Sequence, residues 1–180
     1  MKIALFGGAF NPPHQGHLQI VSHLLKEGYD QVWIIPCWQH PLGKGSISFW
    51  HRFHLCRLAF KGMGPKVRVR DVERRLHLSR SWTVNTVSYL RKKYPNRKFT
   101  LVVGQDNFEQ RKKWKNFDKI EQLVSVVSIP RGVSSFVLDV SSSQIRERMG
   151  SGQQVKDLLQ ENVLHYLLRK GLYVSKTNLF

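Results

Sequence analysis

Residues 1–26 read MKIALFGGAFNPPHQGHLQIVSHLLK, and this stretch decides the fold. Lys2–Phe6 is an apolar run of strand length. Gly7 and Gly8 follow, and glycine permits a tight turn and lets a ligand approach the backbone closely. Pro12 and Pro13 stiffen what comes next. From Leu18 to Lys26 the apolar residues fall at 18, 20, 21, 24 and 25, the spacing of a helix with one buried face. Strand, glycine turn and helix in immediate succession form the opening half of a βα unit. Unpaired N–H groups at such a helix start favour an anion. His14 and His17 lie three positions apart there and can point one way.

The same alternation continues along the chain. Further strands are expected at Gln31–Ile35, Lys66–Val72, Phe99–Val103, Val124–Ile129 and Phe136–Val140. Most are continuous Val- and Ile-rich runs, the pattern of strands covered on both faces. Helices are expected at Phe49–Phe60, at Thr83–Lys93 (stopped by Pro95), as two short pieces in Asn107–Leu123, at Gln144–Met149 and at Val155–Lys170. This pattern predicts an α/β fold: a doubly wound, mostly parallel sheet with right-handed crossovers and a small C-terminal helical part. Residues 1–180 are expected to form a single domain, with an α/β core over about 1–140 and a loop and helices over about 141–180. Ligands bind beyond the carboxyl ends of such strands, so the loops 7–17, 36–48, 104–108, 130–134 and 141–146 are where chemistry is expected.

Composition removes several classes. Of 180 residues, 41% are hydrophobic and 23% charged, which excludes a wholly disordered or collagen-like chain. The two cysteines, Cys37 and Cys56, form no C-x-x-C, so neither a disulfide framework nor a thiolate zinc site is expected. No apolar run approaches the ~18 residues of a membrane span. The first residues lack the pattern of a secretory signal, and a reduced, cytoplasmic protein is expected. The net charge of +17 favours anionic partners: phosphorylated metabolites, nucleotides or nucleic acid.

The first loop is neither a P-loop nor a G-x-G-x-x-G dinucleotide fingerprint. Gly7-Gly8-Ala9-Phe10-Asn11-Pro12-Pro13-His14-Gln15-Gly16-His17 resembles instead the G-G-x-F-[DN]-P-x-H-x-G-H signature of the HxGH nucleotidyltransferase superfamily. Ser141-Ser142-Ser143-Gln144-Ile145-Arg146 is similar to its second signature, [ST]-S-[ST]-x-I-R. Between them, Ser81-Trp82-Thr83, Gly104-Gln105-Asp106 with Trp114, and the tail from Gln160 to Tyr173 resemble segments of bacterial nicotinate-mononucleotide adenylyltransferases. The likeness spans essentially the whole chain.

The resemblance implies a Rossmann-like fold and attack by the phosphate of nicotinate mononucleotide on the α-phosphorus of ATP, releasing pyrophosphate. A phosphomonoester is already largely a dianion at neutral pH, its second pKa being about 6, so alignment and charge neutralisation matter more than a base. His14, His17 and Arg146 are the implied catalytic residues. Gly7, Gly8, Ala9, Phe10, Gly104, Asp106, Ser142 and Ser143 join them in binding ATP, with Mg²⁺ carried on the triphosphate and no dedicated metal ligands. Lys44, Thr83 and Trp114 are the implied acceptor contacts. Lys44 stands where the family usually carries P-P-H-[KR], here replaced by Gln39-His40-Pro41-Leu42-Gly43-Lys44; His40 or Arg52 can share that cationic task.

Plainer readings stand beside these. Asp106 and Thr83 can be helix caps, and Trp114 can be a core residue. His51 and His54, three apart, suit an exposed helix face better than a metal pair. The clusters Arg68–Arg80, Arg91–Lys98 and Arg111–Lys115 suit a solvated basic surface. The alternatives are the same chemistry on nicotinamide mononucleotide or phosphopantetheine, or a basic nucleic-acid-binding module. Oligomeric state is not legible.

Overall fold

The computed structural model describes residues 1–40, 47–77, 79–130 and 136–174. Five strands form one sheet: β1 (Lys2–Gly8), β2 (Gln31–Pro36), β3 (Val67–Val69), β4 (Lys98–Gly104) and β5 (Ser125–Ile129). Every pairing is parallel and the order is β3-β2-β1-β4-β5. The chain therefore winds outward from β1 in one direction and returns to wind outward in the other. The reversal falls between β1 and β4, where the carboxyl ends open a crevice.

Helices cover both faces. They are α1 (Gln15–Lys26), α2 (Phe49–Phe60), α3 (Val72–Arg75), α4 (Thr83–Lys93), α5 (Gln105–Glu109), α6 (Phe117–Leu123), α7 (Ser142–Gly150) and α8 (Glu161–Arg169). Side chains alternate across a strand, so the sheet feeds two cores. Ala4, Phe6, Val32, Ile34 and Val102 pack with Ile20, Val21 and Leu24 of α1, Leu55 of α2, Ile145 of α7 and Val163 of α8. Ile3, Leu5, Trp33, Ile35, Leu101 and Val103 pack with Val84, Val87 and Leu90 of α4 and Ile120 of α6. Burying one such side chain contributes about 1.5–3 kcal/mol.

The α/β expectation holds, with three corrections. Phe136–Val140 is not a strand. Its backbone is tied to α1 rather than to a neighbouring strand: the Leu138 N–H donates to Gln19 Oε1 at 2.6 Å. Val137 and Val140 bury themselves in the α1-side core all the same, which explains the apolar pattern. The strand expected over Lys66–Val72 is only Val67–Val69, because the chain turns into α3 at Val72. Val155–Lys170 is two pieces, a 3₁₀ turn at Lys156–Leu158 and α8.

Candidate active site

The first loop leaves β1 at Gly8 and enters α1 at Gln15. Phe10 adopts φ 48° and turns its ring inward, where it is buried against Phe6 (ring centroids 5.5 Å apart) and His17 (4.9 Å). His14 is the residue capping α1, and His17 lies in its first turn. The two rings sit 3.7 Å apart, centroid to centroid. The His14 N–H donates to His17 Nδ1 at 3.1 Å. A backbone amide can only donate, so Nδ1 must accept, and the ring proton belongs on Nε2. Gly16 between them has a steric reason: a Cβ there would meet His14 Nδ1 and the Leu138 carbonyl, each at 3.2 Å.

The second loop meets the first. Ser141 caps α7 through a reciprocal pair, its Oγ accepting from Gln144 N at 3.2 Å and its N–H donating to Gln144 Oε1 at 2.7 Å. Ser142 Oγ donates to the Pro12 carbonyl at 2.8 Å, and Arg146 Nη1 donates to the Asn11 carbonyl at 2.8 Å. Arg146 Nη2 also reaches Ser143 Oγ at 3.1 Å. The Tyr173 hydroxyl donates to Asn11 Oδ1. Burial pushes the Tyr173 phenol up, well above its ordinary value, despite nearby Arg146 and Arg52, so it remains a donor. Two helix N-termini thus converge on residues 11–14, and neither carries an acidic residue in its first turn. Both dipoles favour an anion there.

Across the crevice, the β1–β4 register runs to Phe6 opposite Val102. Gly8 and Gly104, each two residues further on, end their strands as the crevice lips. Gly104 is the residue before α5, and exposed Asp106 stands inside the first turn. The cap reading of Asp106 is therefore wrong. So is that of Thr83: Trp82 precedes α4 and Thr83 is its first residue. Trp114 is partly buried, edge-on to Phe117 at 5.8 Å. Its neighbour Lys115 lies 5.6 Å from the Trp82 ring, so the Thr83 and Trp114 segments adjoin. Lys44 lies outside the described residues.

Arg52 is not available as a phosphate cation. It is 3% exposed and its guanidinium donates to three carbonyls: Ala9 at 2.8 Å, Ile47 at 3.2 Å and Trp38 at 3.3 Å. Burial lowers its pKa from the ordinary arginine value. Half-buried His51 and exposed His54 belong to α2's contact with α8, where His51 Nδ1 lies 2.8 Å from the Tyr166 hydroxyl. Among the described residues no group of three His, Cys, Asp or Glu side chains is placed to hold a metal ion. None of the described helices is long and apolar enough to cross a membrane.

Sequence reasoning missed Glu73. It is buried, accepts from the Trp38 N–H at 3.1 Å and from Thr86 Oγ1 at 3.2 Å, and burial raises its pKa. Cys37 beside it is pushed up to about 12, first by burial and then by the Glu73 charge, so it is no nucleophile. Only an acid between two apolar runs hinted at Glu73, and its partners lie far away in sequence.

A cytidylyltransferase-like family model matches residues 5–148. A probable nicotinate-nucleotide adenylyltransferase of Anaeromyxobacter sp. (strain K) is 35% identical, over 96% of either chain. The nicotinate-nucleotide adenylyltransferase of Bacillus subtilis (strain 168) is 31% identical, over 97% of this chain and 99% of that one. Among solved structures, a putative nicotinate-nucleotide adenylyltransferase from Vibrio parahaemolyticus superposes with a TM-score of 0.80 at 28% identity, covering 96% of this chain and 94% of that chain. A Plasmodium falciparum nicotinic acid mononucleotide adenylyltransferase complexed with NaAD gives a TM-score of 0.80 at 17% identity, over 96% and 97% of the two chains, a likeness of fold.

Proposed function

The chain belongs to the cytidylyltransferase-like family and, within it, to the nicotinate-nucleotide adenylyltransferases, and from that premise we propose how its residues work. It transfers AMP from ATP to nicotinate mononucleotide, giving nicotinate adenine dinucleotide and pyrophosphate. The acceptor phosphate attacks the α-phosphorus directly and in line; the α–β bridging bond breaks and its electron pair leaves with pyrophosphate. No covalent enzyme intermediate forms, since the attacking oxygen is already anionic.

One observation carries this reading: α7 reaches across to the first loop through Ser142 and Arg146, placing both helix starts at residues 11–14. An array of this kind fits a triphosphate whose charge grows on the leaving side. His17 Nε2 and His14 donate to phosphate oxygens. Arg146 spends two of its five N–H donors on Asn11 and Ser143 and offers its fork to the β- and γ-phosphates. Ser142 and Ser143 present the α7 start, and Gly7, Gly8, Ala9 and Phe10 line the nucleotide with backbone. Gly104 and Asp106 take the adenosine. Trp114 stacks on the pyridine ring, Thr83 meets its carboxylate, and Lys44 neutralises the acceptor phosphate. Mg²⁺ enters as part of the substrate, bound to the triphosphate. The chain works as one unit, residues of about 1–140 supplying the crevice and about 141–180 the clamp, and we assign it to the cytoplasm.

The test is product identity. Incubated with ATP, Mg²⁺ and nicotinate mononucleotide, the protein should yield one dinucleotide per pyrophosphate by mass spectrometry. Pyrophosphate without dinucleotide, or neither product, would refute the reading.

A further inference from the structure

The segment Cys37–Gln39 is held at every turn by elements on both sides of the sheet. The Cys37 N–H donates to the Gly8 carbonyl at 2.9 Å, at the end of β1. The Trp38 N–H donates to Glu73 Oε2 at 3.1 Å, and its carbonyl accepts from Arg52 Nη2 at 3.3 Å. Gln39 pairs with Ser81 in both directions, its N–H on Ser81 Oγ at 3.1 Å and its carbonyl on the Ser81 N–H at 3.0 Å. One peptide segment therefore lies between two buried ionisable side chains, one acidic and one basic. Neither belongs to the phosphate array, yet charge on either is costly to bury, so the fold retains them against a penalty.

What each side chain joins indicates what the pair does. Arg52 spans the first loop, at Ala9, and both stems of the loop that follows β2, at Trp38 and Ile47. Glu73 spans Trp38 and, through Thr86, the helix whose first residue is Thr83. In the functional reading above, the first loop holds ATP while the loop after β2 and the start of α4 hold the acceptor. The only polar groups of Trp38's backbone are shared between these two halves.

Resting on that reading, we propose that Arg52 and Glu73 are positioning residues that couple the two substrate sites. They fix the nucleotide loop, the acceptor loop and the start of α4 in one frame, so that occupancy of one site orders the other. Arg52 is the central member, because a planar fork can serve three carbonyls at once. A lysine keeps the charge but is a single point donor.

The experiment is a coupling measurement. Calorimetry gives the affinity for nicotinate mononucleotide with and without a non-hydrolysable ATP analogue, in the wild type, Arg52→Lys and Glu73→Gln. In the wild type the analogue should tighten acceptor binding by about fivefold or more. Arg52→Lys should reduce that factor to about twofold or less. A residue that merely supports the fold would weaken both affinities and leave their ratio unchanged. In Glu73→Gln the amide oxygen still accepts from Trp38, and the Thr86 hydroxyl can turn to accept from the amide nitrogen. That variant should fold and show an intermediate factor.

Acceptor binding with no coupling in the wild type overturns this proposal and leaves the functional reading standing. Wild-type coupling in Arg52→Lys overturns it as well. If Arg52→Lys does not fold, Glu73→Gln decides: wild-type coupling there overturns the proposal, and reduced coupling supports it. Absence of any nicotinate mononucleotide binding by the wild type refutes the functional reading and this proposal with it.

Discussion

The main-chain N–H of His14 donates to Nδ1 of His17 at 3.1 Å, so the helix start and the orientation of the second histidine are set by one bond. The bond fixes Nε2 as the nitrogen of His17 that carries the ring proton. Both histidines also have a structural part, since His14 is 3% exposed and His17 9%. A His17→Ala variant would remove a packed ring along with the donor.

His17→Asn separates the two roles. The asparagine Oδ1 stands close to where Nδ1 was and can keep the His14 bond, while nothing replaces Nε2. Thermal stability should fall less than in His17→Ala, because the bond from the His14 N–H is kept. The turnover number should fall by about 10²–10³, the usual effect of deleting one charge-stabilising donor. Steady-state kinetics with a melting curve on the same preparation checks both.

Arg146→Lys tests the clamp between the loops. The charge persists, but a lysine cannot hold the Asn11 carbonyl and Ser143 Oγ while presenting a fork to phosphate. The KM for ATP should rise and the turnover number fall, each by roughly tenfold, with the acceptor KM nearly unchanged. Ser142→Ala, which loses only the bond to the Pro12 carbonyl, should have a milder effect in the same direction.

The acceptor residues should show the opposite split. Trp114→Ala and Thr83→Val are expected to raise the KM for nicotinate mononucleotide by about tenfold, with little change for ATP, because each loses one recognition contact. Lys44→Ala should do the same through the acceptor phosphate. Initial rates over a grid of both substrates distinguish these variants from those of the clamp.

Glu73 gives a pH signature. Its pKa in the fold lies above the ordinary carboxylate value of 4.5, because burial disfavours the anion. A group raised on folding contributes stability that is fully present below its unfolded pKa and is lost as pH rises through the folded one. Glu73→Gln cannot ionise and lacks this dependence. The melting temperature of the wild type relative to Glu73→Gln should therefore increase as the pH falls from about 8 towards 4.5. A constant difference would mean that Glu73 does not titrate in this window.

Much of the fold was legible because its signals are local. Leu5 and Phe6 leading into Gly7-Gly8, then the helical spacing of Ile20, Val21 and Leu24, declare strand, turn and helix within one stretch. Phe136–Val140 misled because buried valines look alike whether their backbone pairs with a strand or with a side chain of α1. At the candidate site, His14, His17, Ser142 and Arg146 were singled out by their two motifs, and the fold puts each motif at a helix start and brings the two together. Arg52 and Glu73 were not. Their meaning lies in carbonyl and amide partners separated by up to 43 residues, and no local spacing encodes that. The cap readings of Thr83 and Asp106 failed because each residue already lies inside its helix, α4 beginning at Thr83 and α5 at Gln105.

The most direct measurement is the initial rate of pyrophosphate release with ATP and Mg²⁺, comparing nicotinate and nicotinamide mononucleotides at matched concentrations. The two acceptors share a phosphate and differ in a ring carboxylate against a carboxamide, so the comparison isolates the pocket around Thr83 and Trp114. The kcat/KM for the nicotinate form should be at least about tenfold higher, the scale of one charged or hydrogen-bonded contact. Equal rates with both, or a preference for the amide, would contradict it.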